Sequence, residues 1–227
     1  MRDTLNKEDL VNTHFETVID GLADQGYAIV DNFLSVKEVA AILELDEFKN
    51  ALLHFKKAGI GKREDKQINE SIRGDYIQWI DKQKSAEPLT LYLKRLEGLI
   101  QYINQTLFQS LKDYEVHMTV YPAGSFYKRH LDQFKTDDHR KLSVICYLNT
   151  NWKEDEGGQL RMHLPAPHIP TLSGGGGQER TKDVFPAAGR LVCFRSDQIE
   201  HEVLPATRER LSLTGWMLDQ LVELRYI

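Results

Sequence analysis

The stretch YPAGSFYKRHLDQF, residues 121–134, holds a histidine and an aspartate two positions apart in a strand-like run. Side chains alternate along a strand, so His130 and Asp132 should point to one face, with Cα atoms roughly 7 Å apart. Side chains of this length can converge on one metal ion, whose donor atoms lie about 2 Å away. The stretch therefore predicts two ligands of a metal site.

A third ligand is offered by His201, in DQIEHEVLP, at the start of a later predicted strand. Two histidines and one carboxylate leave coordination positions open, which is the arrangement of non-haem Fe(II) oxygenases. The spacing alone leaves another interpretation open. His130 could be a core histidine that donates to Asp132, and His201 a surface residue beside two glutamates.

A fourth polar residue, Arg210, lies in the strand-like run RLSLTGWML. Four side chains share one face of that run: Arg210, Ser212, Thr214 and Trp216. An arginine inside a β-barrel is costly unless an anion meets it. A dicarboxylate such as 2-oxoglutarate would meet it through a bidentate, charge-assisted pair. The alternative is a surface strand whose arginine pairs with Glu209 or Glu202.

Composition limits the classes of partner. The 227 residues are 41% hydrophobic and carry a net charge of −5, which disfavours nucleic acid. The two cysteines, Cys146 and Cys193, lie in apolar runs and indicate buried, reduced thiols of an intracellular protein. No apolar signal segment opens the sequence and no run could span a membrane. We therefore expect a cytoplasmic protein with no membrane partner.

The order of elements predicts an α+β fold in one domain, residues 1–227, with a helix-rich part, 1–113, supporting a β-rich core, 114–218. Ser35 and Glu38 form a predicted capping box. Helices are predicted over 7–24, 36–59 and 89–111. The later strands, separated by turn signals, are typical of a β-sandwich or barrel.

Two segments are predicted as loops. Residues 55–72 are a candidate lid with Gly59 and Gly61 as hinges, although a solvated loop fits as well. The glycine run 173–177 lies in a predicted loop, 165–182. It lacks the G-K-[ST] of a phosphate-binding loop, so a flexible insertion is the better interpretation.

Six segments together carry a resemblance to a known family. They are Tyr121–Asp132, YLN at 147–149, GGQLR at 157–161, His201–Trp216, GYAIVDNFL at 26–34 and IRGDYIQWI at 72–80. Taken in their order along the chain, they resemble the Fe(II)/2-oxoglutarate-dependent prolyl hydroxylases, closest to the oxygen-sensing HIF-type enzymes and their bacterial relatives. The spacing of H-x-D, a distant histidine, an arginine nine residues on and a tryptophan six beyond is far more specific than H-x-D alone.

The resemblance implies a double-stranded β-helix, a jelly-roll or cupin-like core, with the N-terminal helices packed on one sheet. It implies Fe(II), with 2-oxoglutarate and O2 as cosubstrates and L-ascorbate as a candidate reductant. No catalytic residue beyond the metal ligands is implied.

The resemblance also implies a role for individual residues. The implied iron ligands are His130, Asp132 and His201. The implied 2-oxoglutarate contacts are Arg210, Tyr147, Tyr121 and Ser212. The implied substrate-side residues are Asp75 and Arg140, which would order a loop over the peptide, and Trp216 in the pocket. For each aromatic residue, packing in the core is the alternative.

The substrate implied by the resemblance is a prolyl residue in an extended loop of a protein, with a translation factor as a candidate among bacterial relatives. Two alternatives stay open. The same chemistry could act on another side chain or a free amino acid, or the barrel could bind a metal without catalysis.

Overall fold

The computed structural model describes residues 7–59, 69–133, 138–164 and 179–222. Its helices are α1 (Lys7–Gln25), α2 (Val36–Leu43), α3 (Asp46–Lys49), α4 (Ala51–His54) and α5 (Glu87–Leu107), with a 3-10 turn at Glu154–Glu156. Its strands are β1 (Tyr27–Val30), β2 (Lys56–Lys57), β3 (Tyr76–Trp79), β4 (Asp113–Tyr121), β5 (Tyr127–His130), β6 (Arg140–Tyr147), β7 (Leu160–Leu164), β8 (Arg180–Val184), β9 (Leu191–Arg195), β10 (Glu200–Val203) and β11 (Arg210–Leu218).

The predicted capping box at the start of α2 is confirmed. The Ser35 hydroxyl accepts from the backbone N–H of Glu38, and the Glu38 carboxylate accepts from the backbone N–H of Ser35. Glu38 also pairs with Arg95 of α5 at 2.7 Å, so the cap joins the two helices.

The prediction of one continuous helix over 36–59 is wrong. Leu45 and Asn50 leave helical geometry, and the segment divides into α2, α3 and α4 before β2 begins. The Asp46 carboxylate accepts from the Asn50 amide at 2.6 Å. Asp and Asn side chains favour such bonds at helix ends over the interior of a helix, whereas the apolar spacing that predicted one helix carries no signal of them.

A seven-stranded antiparallel sheet forms the base of the fold, in the order β1-β9-β6-β11-β4-β3-β2. The helices cover one of its faces, because the main hydrophobic cluster joins their buried residues to alternate residues of the central strands. Val18, Leu96 and Leu99 of the helices and Val144 and Leu213 of the sheet are all inaccessible to solvent. This arrangement matches the prediction of helices packed on one sheet.

A second sheet of four strands, in the order β5-β10-β7-β8, faces the other side of the large sheet. A smaller cluster joins the two, with Tyr147, Leu160, Met162, Val192 and Phe194 fully buried in it. Two antiparallel sheets closed around such a core, with helices outside, form the mixed helix and double-stranded β-helix architecture that was predicted.

Strand β8 corrects the predicted loop at 165–182, because the strand begins at Arg180. It is an edge strand whose first four side chains are exposed, so its sequence RTKDV has no alternation of apolar residues to reveal it. The run SGGGG, residues 173–177, and half of the candidate lid, residues 60–68, lie outside the described residues.

In the part of the chain that the structure describes, no helix has the length and apolar character needed to cross a bilayer.

Candidate metal centre and cosubstrate pocket

Three residues place ligand atoms within 4.8 Å of one another: His130, Asp132 and His201. Strands β5 and β10 pair with His130 directly opposite His201, so the register alone brings the two imidazoles together. Each Nε2 lies 3.5–3.6 Å from one oxygen of Asp132. Atoms grouped in this way could hold one metal ion.

The backbone fixes the orientation of both imidazoles. Nδ1–H of His130 donates to the carbonyl oxygen of Lys128 at 2.7 Å, and Nδ1–H of His201 donates to that of Ile199 at 3.2 Å. A carbonyl can only accept, so the proton is on Nδ1 and the Nε2 lone pair points to the site. This is the tautomer in which imidazole binds a metal.

Burial keeps the second imidazole uncharged. It lowers the pKa of His201 to about 4, and the adjacent His130 acts in the same direction while Asp132 opposes both. At neutral pH the ring is therefore free of the proton that would compete with a metal.

Asp132 is held as a carboxylate. Its burial raises the pKa, but His201, His130 and the Ser143 hydroxyl lower it by more, so that the pKa falls well below its usual range. Ser143 donates to Oδ2 at 2.6 Å and lies 2.9 Å from the hydroxyl of Ser196. Ser143 lies in β6 and Ser196 directly follows β9, so both are distant in sequence and H-x-D spacing could not reveal them.

Asp132 reaches the site by a different route from the one predicted. Strand β5 ends at His130, and Asp132 lies in a bend just after it. The alternation of a continuous strand is therefore not what aligns the pair. The bend, held by Ser143, brings the carboxylate beside the imidazoles.

Arg210 lies on the large sheet and points into the space between the sheets. It is 2% exposed, and its Nε–H donates to the carbonyl oxygen of Gly158 at 2.9 Å. It forms no ion pair with a carboxylate of the described residues, and its Nη2 is buried without a hydrogen-bond partner. The alternative of a surface strand whose arginine pairs with Glu209 or Glu202 is wrong, because Arg210 is buried and forms no ion pair with either acid.

The other predicted cosubstrate contacts surround Arg210. In the sheet register Arg210 lies opposite Tyr121, and Ser212 lies opposite Tyr147. The guanidinium carbon is 5.1 Å from the Tyr121 ring and 4.9 Å from the Tyr147 ring. The Tyr147 hydroxyl is buried without a partner, while the Ser212 hydroxyl lies 3.2 Å from that of Thr214.

Two glycines give the GGQLR segment its backbone conformation. Gly157 and Gly158 have φ of +73° and +70°, a conformation that other residues rarely adopt. A Cβ on Gly157 would lie 2.4 Å from the carbonyl oxygen of Pro205. The backbone can therefore turn close to β11 and present the Gly158 carbonyl to Arg210.

The three predicted substrate-side residues have partners of their own. Asp75 is fully buried and accepts two hydrogen bonds from Arg73, at 2.7 and 2.5 Å. Arg140 pairs with Glu115 at 2.6 Å and lies 3.6 Å from the Trp216 ring. Asp75 and Arg140 thus each form a carboxylate–guanidinium pair within the chain.

Trp216 belongs to a group of aromatic rings on the large sheet. Its ring centroid is 5.5 Å from that of His117 and 6.2 Å from that of Trp79. Its indole N–H is buried without a partner. Sequence reasoning did not single out His117 or Trp79, since neither belongs to a local motif.

A double-stranded β-helix with two histidines, one carboxylate and a buried, unmatched arginine defines the class of non-haem iron oxygenases that use a dicarboxylate cosubstrate. The profile described as 2OG-FeII_Oxy_3, 2OG-Fe(II) oxygenase superfamily, matches residues 116–218.

Individual relatives narrow the class. A Pseudomonas putida prolyl-4-hydroxylase is 40% identical, with 91% of this chain and 100% of that chain covered and a TM-score of 0.76. A Trichoplax adhaerens prolyl hydroxylase, solved with a hypoxia-inducible factor peptide fragment, is 26% identical, with 96% and 94% covered and a TM-score of 0.78. The Caenorhabditis elegans hypoxia-inducible factor prolyl hydroxylase is 30% identical over 220 residues, which are 90% of this chain and 28% of that protein.

The chain belongs to the prolyl hydroxylase family of the 2OG-Fe(II) oxygenases. It spans 28% of the length of the curated worm relative and the whole of the bacterial one.

Proposed function

We propose that the protein is an Fe(II)- and 2-oxoglutarate-dependent dioxygenase that hydroxylates a prolyl residue of a protein substrate. One observation carries the proposal: Arg210 Nη2 and the Tyr147 hydroxyl are both buried without a hydrogen-bond partner of good geometry, the guanidinium carbon lies 4.9 Å from the Tyr147 ring, and the fold also groups the ligand atoms of His130, Asp132 and His201 within 4.8 Å. Buried polar groups are ordinarily satisfied, so two unsatisfied groups in one pocket call for a ligand.

The residues present fit the cofactor and the cosubstrate. His130, Asp132 and His201 are the proposed iron ligands, and a two-histidine, one-carboxylate set leaves positions open for other groups. When bound, Fe(II) with 2-oxoglutarate and O2 supplies C–H hydroxylation with release of succinate and CO2.

Arg210 is the proposed anchor for the distal carboxylate of 2-oxoglutarate, because its guanidinium offers a charged, planar donor pair that no acid among the described residues occupies. Tyr147 would donate to the same carboxylate, and Tyr121 and Ser212 complete the wall around it. Burial raises the pKa of Tyr147, with Arg210 opposing, and this keeps the phenol a donor at neutral pH.

The protein substrate is proposed from family membership and from the open side of the metal centre. The His130 side chain is 17% exposed, against 4% for His201, so the site opens beside β5. Asp75, Arg140 and Trp216 are the proposed substrate-side residues. A proline in an extended loop, such as that of a translation factor, is the proposed target.

Two further points belong to this proposal. L-Ascorbate is the proposed reductant that maintains Fe(II).

Two free cysteines, Cys146 and Cys193, are fully buried in a chain whose described residues contain no disulfide, and this supports a cytoplasmic location.

Succinate formation and peptide mass test the function. With Fe(II), 2-oxoglutarate and ascorbate, a proline-containing peptide should stimulate succinate release and gain one oxygen atom, whereas its proline-to-alanine counterpart and free amino acids should do neither. Asp132→Ala should abolish both signals. Succinate release stimulated by free amino acids would redirect the proposal to another substrate.

A further inference from the structure

Three groups form a continuous stack beside the metal centre: Arg73, Tyr127 and His130. The Tyr127 and His130 rings are nearly parallel, with centroids 3.6 Å apart and an interplanar angle of 18°. The Arg73 guanidinium lies on the Tyr127 ring, 4.3 Å from its centroid. The imidazole therefore rests on an aromatic ring that is itself covered by a cation.

Arg73 is fixed at the far end of this stack. Its two hydrogen bonds to the fully buried Asp75 use both carboxylate oxygens, a geometry that defines the guanidinium plane. Its side chain is 14% exposed, and Nη1 also reaches the carbonyl oxygen of Gly59 at 3.4 Å.

The backbone holds the same register. Arg73 forms a β-bridge with Tyr127, the N–H of Gly74 donates to Phe126 and the N–H of Lys128 donates to Ile72, both at 2.9 Å. Strand β5 therefore pairs with residues 72–74 along one edge and with β10 along the other. This places Arg73 over Tyr127.

The two imidazoles differ in how they are enclosed. His201 is 3% exposed and packs edge-on against Phe194, with centroids 4.7 Å apart. His130 lies on the open side of the site, and its hydrogen bond to Lys128 fixes Nδ1 without covering the ring. The ring faces are met by Tyr127 and by His201, whose centroid is 4.3 Å away.

We propose that Arg73 and Tyr127 are positioning residues for the metal centre, and that their stack sets the plane of the His130 ring so that Nε2 points to the ion. The inference rests on the proposed metal site. Both residues act through His130, and the stack joins the segment around Asp75 to a metal ligand. Outer residues that orient a ligand commonly change metal affinity by 10- to 100-fold.

Cobalt(II) binding, without 2-oxoglutarate or peptide, tests the proposal apart from turnover. Arg73→Lys keeps the charge and removes the planar donor pair, while Tyr127→Leu removes the ring. Each should weaken Co(II) affinity by about 10-fold, the lower end of that range, and alter the d–d absorption of the bound ion. Tyr127→Phe, which retains the ring, should bind as the wild type does.

The matched control is Arg129→Lys. Arg129 adjoins His130 in sequence, but it is 40% exposed and pairs with Glu179 and Glu200 on the outer surface. It should leave both affinity and spectrum unchanged. The melting temperature of each metal-free variant shows whether the fold is retained.

The outcomes separate this inference from the function on which it rests. If His130→Ala abolishes Co(II) binding while Arg73→Lys and Tyr127→Leu match the wild type in affinity and spectrum, the positioning role is overturned and the metal site stands. If His130→Ala itself binds Co(II) normally, the metal site and the inference both fail.

Discussion

Arg210 is a buried charged residue without a counterion among the described residues. Its guanidinium is almost inaccessible to water, its neighbours are phenol rings and one carbonyl, and Nη2 has no partner. A buried charge without a counterion costs several kcal/mol, and an incoming dicarboxylate would recover part of that cost. Affinity for the cosubstrate should therefore depend on the shape of this side chain as well as on its charge.

Arg210→Lys should raise the KM for 2-oxoglutarate by about 10- to 100-fold, since an ammonium group cannot make the bidentate pair. Steady-state succinate formation at varied 2-oxoglutarate measures the change. Arg208→Lys is the matched control, because Arg208 is 39% exposed and bonds to the carbonyl oxygen of Thr150. An unchanged KM in Arg210→Lys would remove this residue from the cosubstrate site.

His117, which is not among the proposed metal ligands, makes the stability of the fold depend on pH. Burial lowers its pKa to about 3, Arg73 adds to the decrease, and Asp75 opposes it. The ring meets Thr119 at 2.8 Å and the rings of Trp79 and Trp216. In the unfolded chain this histidine has a pKa of about 6.5. Between that pH and the folded-state pKa, the unfolded chain therefore binds a proton at His117 and the folded chain does not.

Stability from His117 is therefore complete above pH 6.5 and is lost as the pH falls toward 3. Between pH 7 and pH 5 the loss should be about 2 kcal/mol. Urea unfolding of the metal-free protein at both pH values measures it, and His117→Gln should lose correspondingly less stability over the same interval. Equal losses in both proteins would show that the imidazole is protonated in the folded state at pH 5.

At the scale of elements, α2 has a cap that can be tested in isolation from the site. The Ser35 hydroxyl satisfies one of the free N–H groups of the helix, and α2 buries Val39 and Ile42 in the core. Ser35→Ala should lower the free energy of unfolding by about 1 kcal/mol, whereas Ser35→Asp should retain most of it. Urea unfolding at neutral pH distinguishes the two, and equal stabilities would show that the cap contributes nothing.

Elements specified by neighbouring residues were predictable, and those that depend on distant contacts were not. The α2 cap follows from Ser35 and Glu38 alone. The divisions at Leu45 and Asn50 interrupt an apolar spacing that continues through them, since Leu45, Phe48 and Ala51 all pack on the core. Strand β8 was missed because its edge position needs no apolar alternation.

The candidate site shows the same division. The spacing singled out His130, Asp132 and His201, whose ligand atoms the structure places within 4.8 Å of one another, and Arg210, which it buries. Ser143 behind Asp132, and Tyr127 beneath His130, carry no signal of their role, because strand pairing and a bend decide what they touch.

At the scale of the whole molecule, the two halves of the site lie on different sheets. Of the proposed metal ligands, His130 and His201 lie on β5 and β10 of the small sheet and Asp132 in the bend after β5, whereas Arg210, Tyr147 and Tyr121 lie on the large sheet. A chelate held by both would link the sheets across the small core. Ligands that bind only the folded state stabilise it by RT ln(1 + [L]/Kd).

The metal should therefore stabilise the fold first, and 2-oxoglutarate should add stability only once the metal is bound. At 100 times its Kd, 2-oxoglutarate added to the Co(II) protein should contribute about 2.7 kcal/mol, or roughly 5 to 10 °C in Tm for a chain of this size. Without metal it should contribute little, because the chelating half of its site is missing. Arg210→Gln should keep the Co(II) shift and lose the 2-oxoglutarate shift, while Asp132→Ala should lose both. A 2-oxoglutarate shift of equal size with and without Co(II) would mean that the diacid binds away from the metal ligands.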